Sequence, residues 1–398
     1  MNNNFDIIIV GGGLIGLSVA YKFQKKFTKK NILLVEKEKD LALHQSGRNS
    51  GVLHSGLYYK PGSYKAKNCV NGREQLVEFA RKNKIKHDVC GKIVVAVNEN
   101  EKAQLPNLLE RGKKNGLSNL KIINENEIKE IEPFIQGKAA IWVPQTGIID
   151  YREVAKCLRD KVLKINSKSK IINNCKVEKI NENSISTSLG VFTAKNFIFC
   201  GGLFSDRLAK KDNLNLDLKI VSFRGEYYQL NNNAKHKIKN LVYPVPNPEF
   251  PFLGVHFTRM TDGSVECGPN AVFTFKREGY KKSDFNVKDT LDSLSYPPIW
   301  KLFFKHWRFG LNELKRSYSK RLFLKQLQRM MPSLTMDEII EGRTGVRAMA
   351  LGNDGEVIDD FRIKKNNKNI HVLNAPSPAA TACLSIGDYI LEHYRSIK

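Results

Sequence analysis

Acidic residues are scarce, paired cysteines are missing and long apolar runs are absent, and each shortage removes a class of protein. Only 40 Asp and Glu stand against 65 Lys and Arg, a formal charge of +25 over 398 residues. Such an excess admits anionic partners: nucleic acid, a membrane surface or an acidic substrate. Stretches such as KINSKSKIINN and KKNNKN spread the lysines along the chain, which reads as general solvation. No RNP or KH motif occurs, so no nucleic-acid partner is expected. No run of 18 or more apolar residues exists, so no helix is expected to span a bilayer. MNNNFD lacks a basic start, and three glycines interrupt the apolar run after it, so no signal peptide is expected. The seven cysteines are scattered and none forms a CxxC pair. That speaks against metal ribbons and dithiol motifs, and for a reducing compartment; no metal site is expected. The expected location is cytoplasmic, with peripheral attachment to the inner face of the cell membrane as an option. The chain is 41% hydrophobic, enough for a sizeable core, and its length suggests two or three domains.

What is present begins at the N-terminus. Phe5 to Val10 reads as a buried strand, GGGLIG follows at 11–16, then a helical stretch, then an apolar run from Ile32 to Val35 ending at Glu36. This is one βαβ unit. Gly11 permits the tight turn, Gly13 lets the backbone approach a pyrophosphate, and Gly16 lets helix and strand pack closely. The helix N-terminus offers N–H groups to phosphates. Glu36 lies where an acid accepts ribose hydroxyls, which argues against a 2′-phosphate and so against NADP. Lys37 beside it and Val177 on a later β run join the expected cofactor contacts. The fingerprint alone leaves FAD and NAD open, and its place at the chain start leans towards FAD.

A second motif runs from His44 to Tyr59. Its small residues suit close contact with a flat ligand. Asn49 and Ser50 suit diphosphate or ribityl oxygens, and Arg48 suits their charge. This stretch resembles the segment after the fingerprint in the D-amino-acid-oxidase-like FAD superfamily. HQSGRNSGVLHSGLYYKPGSYKAKNC (44–69), FRGEYYQL (223–230) and the blocks 243–280, 345–361 and 371–390 resemble the L-2-hydroxyglutarate dehydrogenase/oxidase family. The resemblance implies a glutathione-reductase-type flavoprotein. An α/β Rossmann-like FAD-binding domain (1–87, 150–215, 341–398) joins an α+β substrate domain (88–149, 216–340) with a mainly antiparallel sheet. It implies noncovalent FAD, although His54 stands where some amine-oxidising relatives attach flavin. It implies Gly201 and Gly202 as a second approach to FAD. It also implies oxidation of L-2-hydroxyglutarate to 2-oxoglutarate by hydride transfer to flavin N5, with quinone or oxygen receiving the electrons.

That reaction needs a base for the hydroxyl proton and cations for the carboxylates. His54 is the candidate base, because its loop should pass beside the flavin, with a flavin-contacting or structural role as the plainer reading; His256 competes with it, with sheet-face packing as the plainer reading. Arg347, in a Gly-Val-Arg arrangement shared with glycerol-3-phosphate dehydrogenases, is the first choice for a carboxylate, against a structural salt bridge. Arg224 and Tyr243 are weaker candidates, and Tyr58 caps the pocket or packs in the core. Pro376 and Pro378 stiffen a turn. Ala379, Ala380 and Thr381 are expected to open a helix whose N-terminus faces the flavin, and these three and Pro378 are expected beside the cofactor. Cys383 reads as a buried apolar residue. Residues 296–330 are basic, aromatic and helical. They suit an anionic membrane surface with access to quinone, or else a solvated basic face over an aromatic core. Two other functions remain open: an amine oxidase of the glycine or sarcosine type, and a basic FAD protein that binds RNA. Oligomeric state is not legible.

Overall fold

The computed structural model describes residues 3–246 and 254–395. Positions 247–253 of the 243–280 block lie outside the described residues. The strand Asn4–Val10 sends Ile7 and Ile9 to one face and Ile8 and Val10 to the other, and both faces are buried. Side chains alternate along a strand, so a strand covered on both sides reads as a continuous apolar run. Its sheet runs through Val177–Ile180, Ser184–Thr187, Gly190–Phe199, Asn4–Val10, Ile32–Val35 and Lys170–Ile172. The last four are mutually parallel, and Asn369–Asn374 adds to Gly190–Phe199 in parallel. The helices Leu14–Lys26, Tyr64–Lys82, Tyr151–Ile165 and Cys383–Arg395 cover the Ile7 face. This is the expected Rossmann-like unit.

The second sheet is mainly antiparallel. Its order is Val272–Phe273, Leu218–Leu230, Val265–Gly268, His256–Arg259, Leu241–Pro244, Lys92–Ala96, Ala139–Val143 and Lys121–Ile123. Leu241–Pro244 and Lys92–Ala96 are the pair in it that runs parallel. Ile339–Gly352 pairs along nearly all of Leu218–Leu230. Residues 341–352 were expected in the FAD-binding unit, but this pairing builds them into the second sheet. A small sheet of Val52–Leu53, Gly147–Ile149 and His87–Asp88 anchors the loop that follows the fingerprint.

Two further expectations need correction. The last helix begins at Cys383, so Ala379, Ala380 and Thr381 belong with Pro378 to the turn before it. The segment 296–330 folds as helices Pro298–Lys305, Trp307–Tyr318 and Lys320–Leu327. Ile299 and Leu302 pack on Val221 and Met349, and Phe323 and Leu327 enter another core. Trp300, Phe304 and Trp307 are 45%, 72% and 54% exposed, so these aromatics do not form the internal core that the solvation reading required.

Candidate active site

A cavity of about 1070 Å³ begins at the carboxyl ends of Asn4–Val10 and Gly190–Phe199 and runs to the second sheet. In open α/β sheets this is where ligands bind. Small-molecule sites span roughly 300–1,000 Å³, so there is room for a dinucleotide together with a small substrate.

The fingerprint end is shaped by close approaches. Gly11 has φ +112°, and a Cβ there would meet the Cys200 carbonyl oxygen at 2.3 Å. A Cβ on Gly16 would lie 1.9 Å from the Gly11 oxygen, which is how helix Leu14–Lys26 comes so near the strand. Gly13, the residue before that helix, offers no side-chain cap, and the Ser46 hydroxyl accepts the Leu14 N–H at 2.9 Å. Gly11, Gly13, Leu14 and Ile15 line the cavity, so the positive end of the helix faces it. Glu36 is also on the wall, its carboxylate accepting the N–H groups of Gly12 at 2.6 Å and Glu38 at 3.0 Å. A helix end with glycine at its cap position, a bare glycine cradle and a fixed acid fit a dinucleotide that carries free ribose hydroxyls.

The remaining expected cofactor residues divide in two. Lys37, Ser50, Val177, Gly201, Gly202, Pro378, Ala379 and Ala380 line the cavity. Arg48 and Asn49 line it too, but their polar groups are engaged inside the protein. Arg48 donates to Leu43 and Thr344 carbonyls and lies 4.3 Å over the Tyr280 ring. The Asn49 amide donates to the Gln45 and Ser46 carbonyls, and its oxygen accepts the Gly51 N–H. These bonds shape the loop that lines the cavity. Thr381 stands behind the wall: its hydroxyl accepts the His54 N–H at 3.1 Å and meets the Tyr151 hydroxyl at 2.9 Å. It therefore positions His54. Glu38, His44 and Glu278 come within ligand distance of one another, but Lys37 already bridges the two carboxylates.

At the far end His54, His256, Tyr243 and Arg347 come together with Lys65 and Tyr227, two residues the sequence reading missed. His256 donates its Nδ1–H to the Gly254 carbonyl at 2.8 Å. That carbonyl can only accept, so Nε2 keeps its lone pair. The ring stacks on Tyr243 at 3.9 Å. Burial, then Arg347 and Lys92, pull His256 down to about 3 against a partial offset from Gly254. Burial, then Lys92, His256 and Lys65, do the same to His54, which falls to about 3. Its Nε2 lies 3.3 Å from the Ser377 hydroxyl. Both rings are uncharged at neutral pH. The Arg347 Nη1 donates to the Asn270 carbonyl at 3.3 Å. Lys65 pairs with Asp359 at 2.6 Å. Burial pushes the Tyr227 hydroxyl up to about 12, so it stays protonated as a donor.

Arg224 and Tyr58 are not substrate contacts. In an antiparallel pair, residues directly opposite share a face and neighbours alternate. Arg347 pairs with Phe223, whereas Arg224 pairs with Val346 and so projects from the opposite face. Arg224 binds Glu226 at 2.9 Å and the Lys281 carbonyl at 3.0 Å. Tyr58 packs against the core behind Lys92, whose ammonium lies 4.4 Å from its ring.

A family model described as FAD dependent oxidoreductase matches residues 6–393. An L-2-hydroxyglutarate dehydrogenase of Indibacter alkaliphilus is 47% identical over 395 residues, covering 98% of each chain. One from Escherichia coli is 40% identical, covering 99% of this chain and 94% of its own. An L-α-glycerophosphate oxidase of Mycoplasma pneumoniae, solved with FAD bound, superposes with a TM-score of 0.78 at 23% identity, covering 98% of this chain and 95% of its own. Fold, fingerprint cavity and whole-length similarity agree, and the chain belongs to the FAD dependent oxidoreductase family.

Proposed function

We propose that this protein oxidises L-2-hydroxyglutarate to 2-oxoglutarate with FAD as its cofactor. The observation that carries the reading is the far end of the cavity, where two uncharged histidines meet Arg347 and Lys65. Bound FAD supplies the two-electron acceptor. Gly11, Gly13 and the N-terminus of helix Leu14–Lys26 would hold its diphosphate, and Glu36 would hold a ribose. Arg347 grips one substrate carboxylate with its planar fork, and Lys65 faces the other. His256 Nε2 takes the hydroxyl proton, a step for which a neutral imidazole is the required form. His54, tied to Thr381, lines the same end. The relatives' names agree with this chemistry. An amine substrate would bring an ammonium group against Arg347 and Lys65, which disfavours the glycine or sarcosine alternative. Anaerobic addition of L-2-hydroxyglutarate is expected to bleach the flavin band, and the D isomer and sarcosine are expected to leave it unchanged. A flavin band indifferent to the L isomer would refute the assignment.

We further infer that the exposed edge of helices Pro298–Lys305 and Trp307–Tyr318 rests on an anionic membrane surface, with quinone as the electron acceptor. Phe304, Trp307, Leu311 and Tyr318 are exposed beside Lys301, Lys305, Arg308 and Lys315. Aromatics flanked by cations suit the headgroup boundary. No helix among the described residues is long and apolar enough to cross a membrane, so the contact is peripheral. Flotation with vesicles containing phosphatidylglycerol should carry the protein upward. Pure phosphatidylcholine, or the variant F304S/W307S, should not. Equal flotation in every case would contradict the surface contact.

A further inference from the structure

Lys92 opens the strand Lys92–Ala96, in which every residue is buried. It is registered against Leu241, with Tyr243 two residues further along the same partner strand, and the two-residue period brings Tyr243 to its face. The surrounding cluster is apolar: Val94, Ile141, Val143 and Leu241. The ammonium is 1% exposed as a residue and lies 4.4 Å from the Tyr58 ring and 4.8 Å from the Tyr243 ring. Its hydrogen-bond partner is the Tyr58 hydroxyl, at a long 3.5 Å. No carboxylate pairs with it among the described residues. A buried charge without a counter-ion is costly, so the arrangement calls for a function.

We infer that Lys92 is a positioning residue of this site: held between Tyr58 and Tyr243, it braces the Tyr243–His256 stack and places a positive charge beneath the substrate end of the cavity, which an anionic substrate complements. The inference rests on the dicarboxylate reading above. The groups facing the histidines are consistent with it. His256 feels Arg347 and Lys92 and stacks on Tyr243. His54 feels Lys92, His256 and Lys65. Burial pulls Lys92 itself down to about 7, against a partial offset from Cys69. It is therefore an ammonium below neutral pH and an amine above. A group with so low a value gives the pocket a charge that alkali removes, whereas the Arg347 guanidinium keeps its charge throughout this range.

Glutarate tests this without turnover, because it carries two carboxylates and no oxidisable hydroxyl. Its binding to the holoenzyme is read from the flavin difference spectrum at pH 6 and pH 9. Wild type should bind about tenfold more weakly at pH 9, the equivalent of 1.4 kcal/mol. Lys92→Arg, cationic at both, should bind equally at the two pH values. Lys92→Met should bind weakly at both, and the acid limb of its kcat/KM profile should move up as the histidines lose a repelling neighbour. Should the Met variant fail to hold FAD, the Arg variant decides alone. A tenfold pH dependence retained in Lys92→Arg, or glutarate affinity at pH 6 unchanged in Lys92→Met, overturns the inference. Because glutarate binding is scored apart from flavin reduction by L-2-hydroxyglutarate, failure of the substrate assignment remains distinguishable from failure of Lys92.

Discussion

Replacing Arg347 by Met is expected to lower kcat/KM for L-2-hydroxyglutarate by about 30- to 5,000-fold, the equivalent of the 2–5 kcal/mol lost when one partner of a desolvated charge pair is truncated. The flavin should stay bound, because the fingerprint end of the cavity lies on the other sheet. Two features make this side chain so influential. It stands on the long strand pair 218–230 and 339–352, a rigid support, and its Nη1 is already oriented by the Asn270 carbonyl. Burial disfavours its charge, so a carboxylate that enters stabilises the charged form in a low-dielectric site. Arg347→Lys keeps the charge but loses the planar fork, and its rate should fall between the two. Steady-state kinetics on preparations matched for flavin content measures the effect. Equal kcat/KM in Arg347→Met would remove Arg347 from the substrate site.

The dinucleotide unit was legible because its evidence is local. Strand, glycines, helix and acid follow one another within the first 36 residues, and each constrains the next. The second sheet was legible as β structure but not as a set of neighbours. GVRAMAL is apolar around one arginine, and nothing in it says that it pairs with Leu218–Leu230 rather than returning to the first sheet. The same blindness joined Arg224 to Arg347 as substrate cations, when a one-residue offset in register turns them to opposite faces. Lys92 did leave a signal in CGKIVVAV: a charge at a position where the strand's own pattern asks for an apolar residue. Its meaning depends on Tyr58 and Tyr243, which are distant in sequence. Thr381 and Asn49 look like ligand donors in a list of polar residues. Only the hydrogen-bond partners show that they position His54 and the loop after the fingerprint.

His256→Asn is expected to lower kcat by about 10²–10⁴-fold, the usual contribution of a general base. His54→Asn should cost much less. The sequence offered both histidines and favoured His54, whose loop follows the fingerprint. The hydrogen bonds do. His256 gives Nδ1–H to a carbonyl, which leaves Nε2 unprotonated and aimed by its stack on Tyr243. His54 instead has Nε2 beside the Ser377 hydroxyl, and its backbone N–H is held by Thr381. The pH profile separates the roles further. A base works while neutral, so activity is lost as pH falls through its pKa, and kcat/KM reports the free enzyme. With His256 drawn down to about 3 by burial and by Arg347 and Lys92, wild-type kcat/KM should show no acid limb near the ordinary histidine value. Arg347→Lys preserves that charge, whereas Arg347→Met removes it and should bring the limb upward. If His54→Asn proves the more damaging change, His54 is the base and the Gly254 bond merely seats a packing ring.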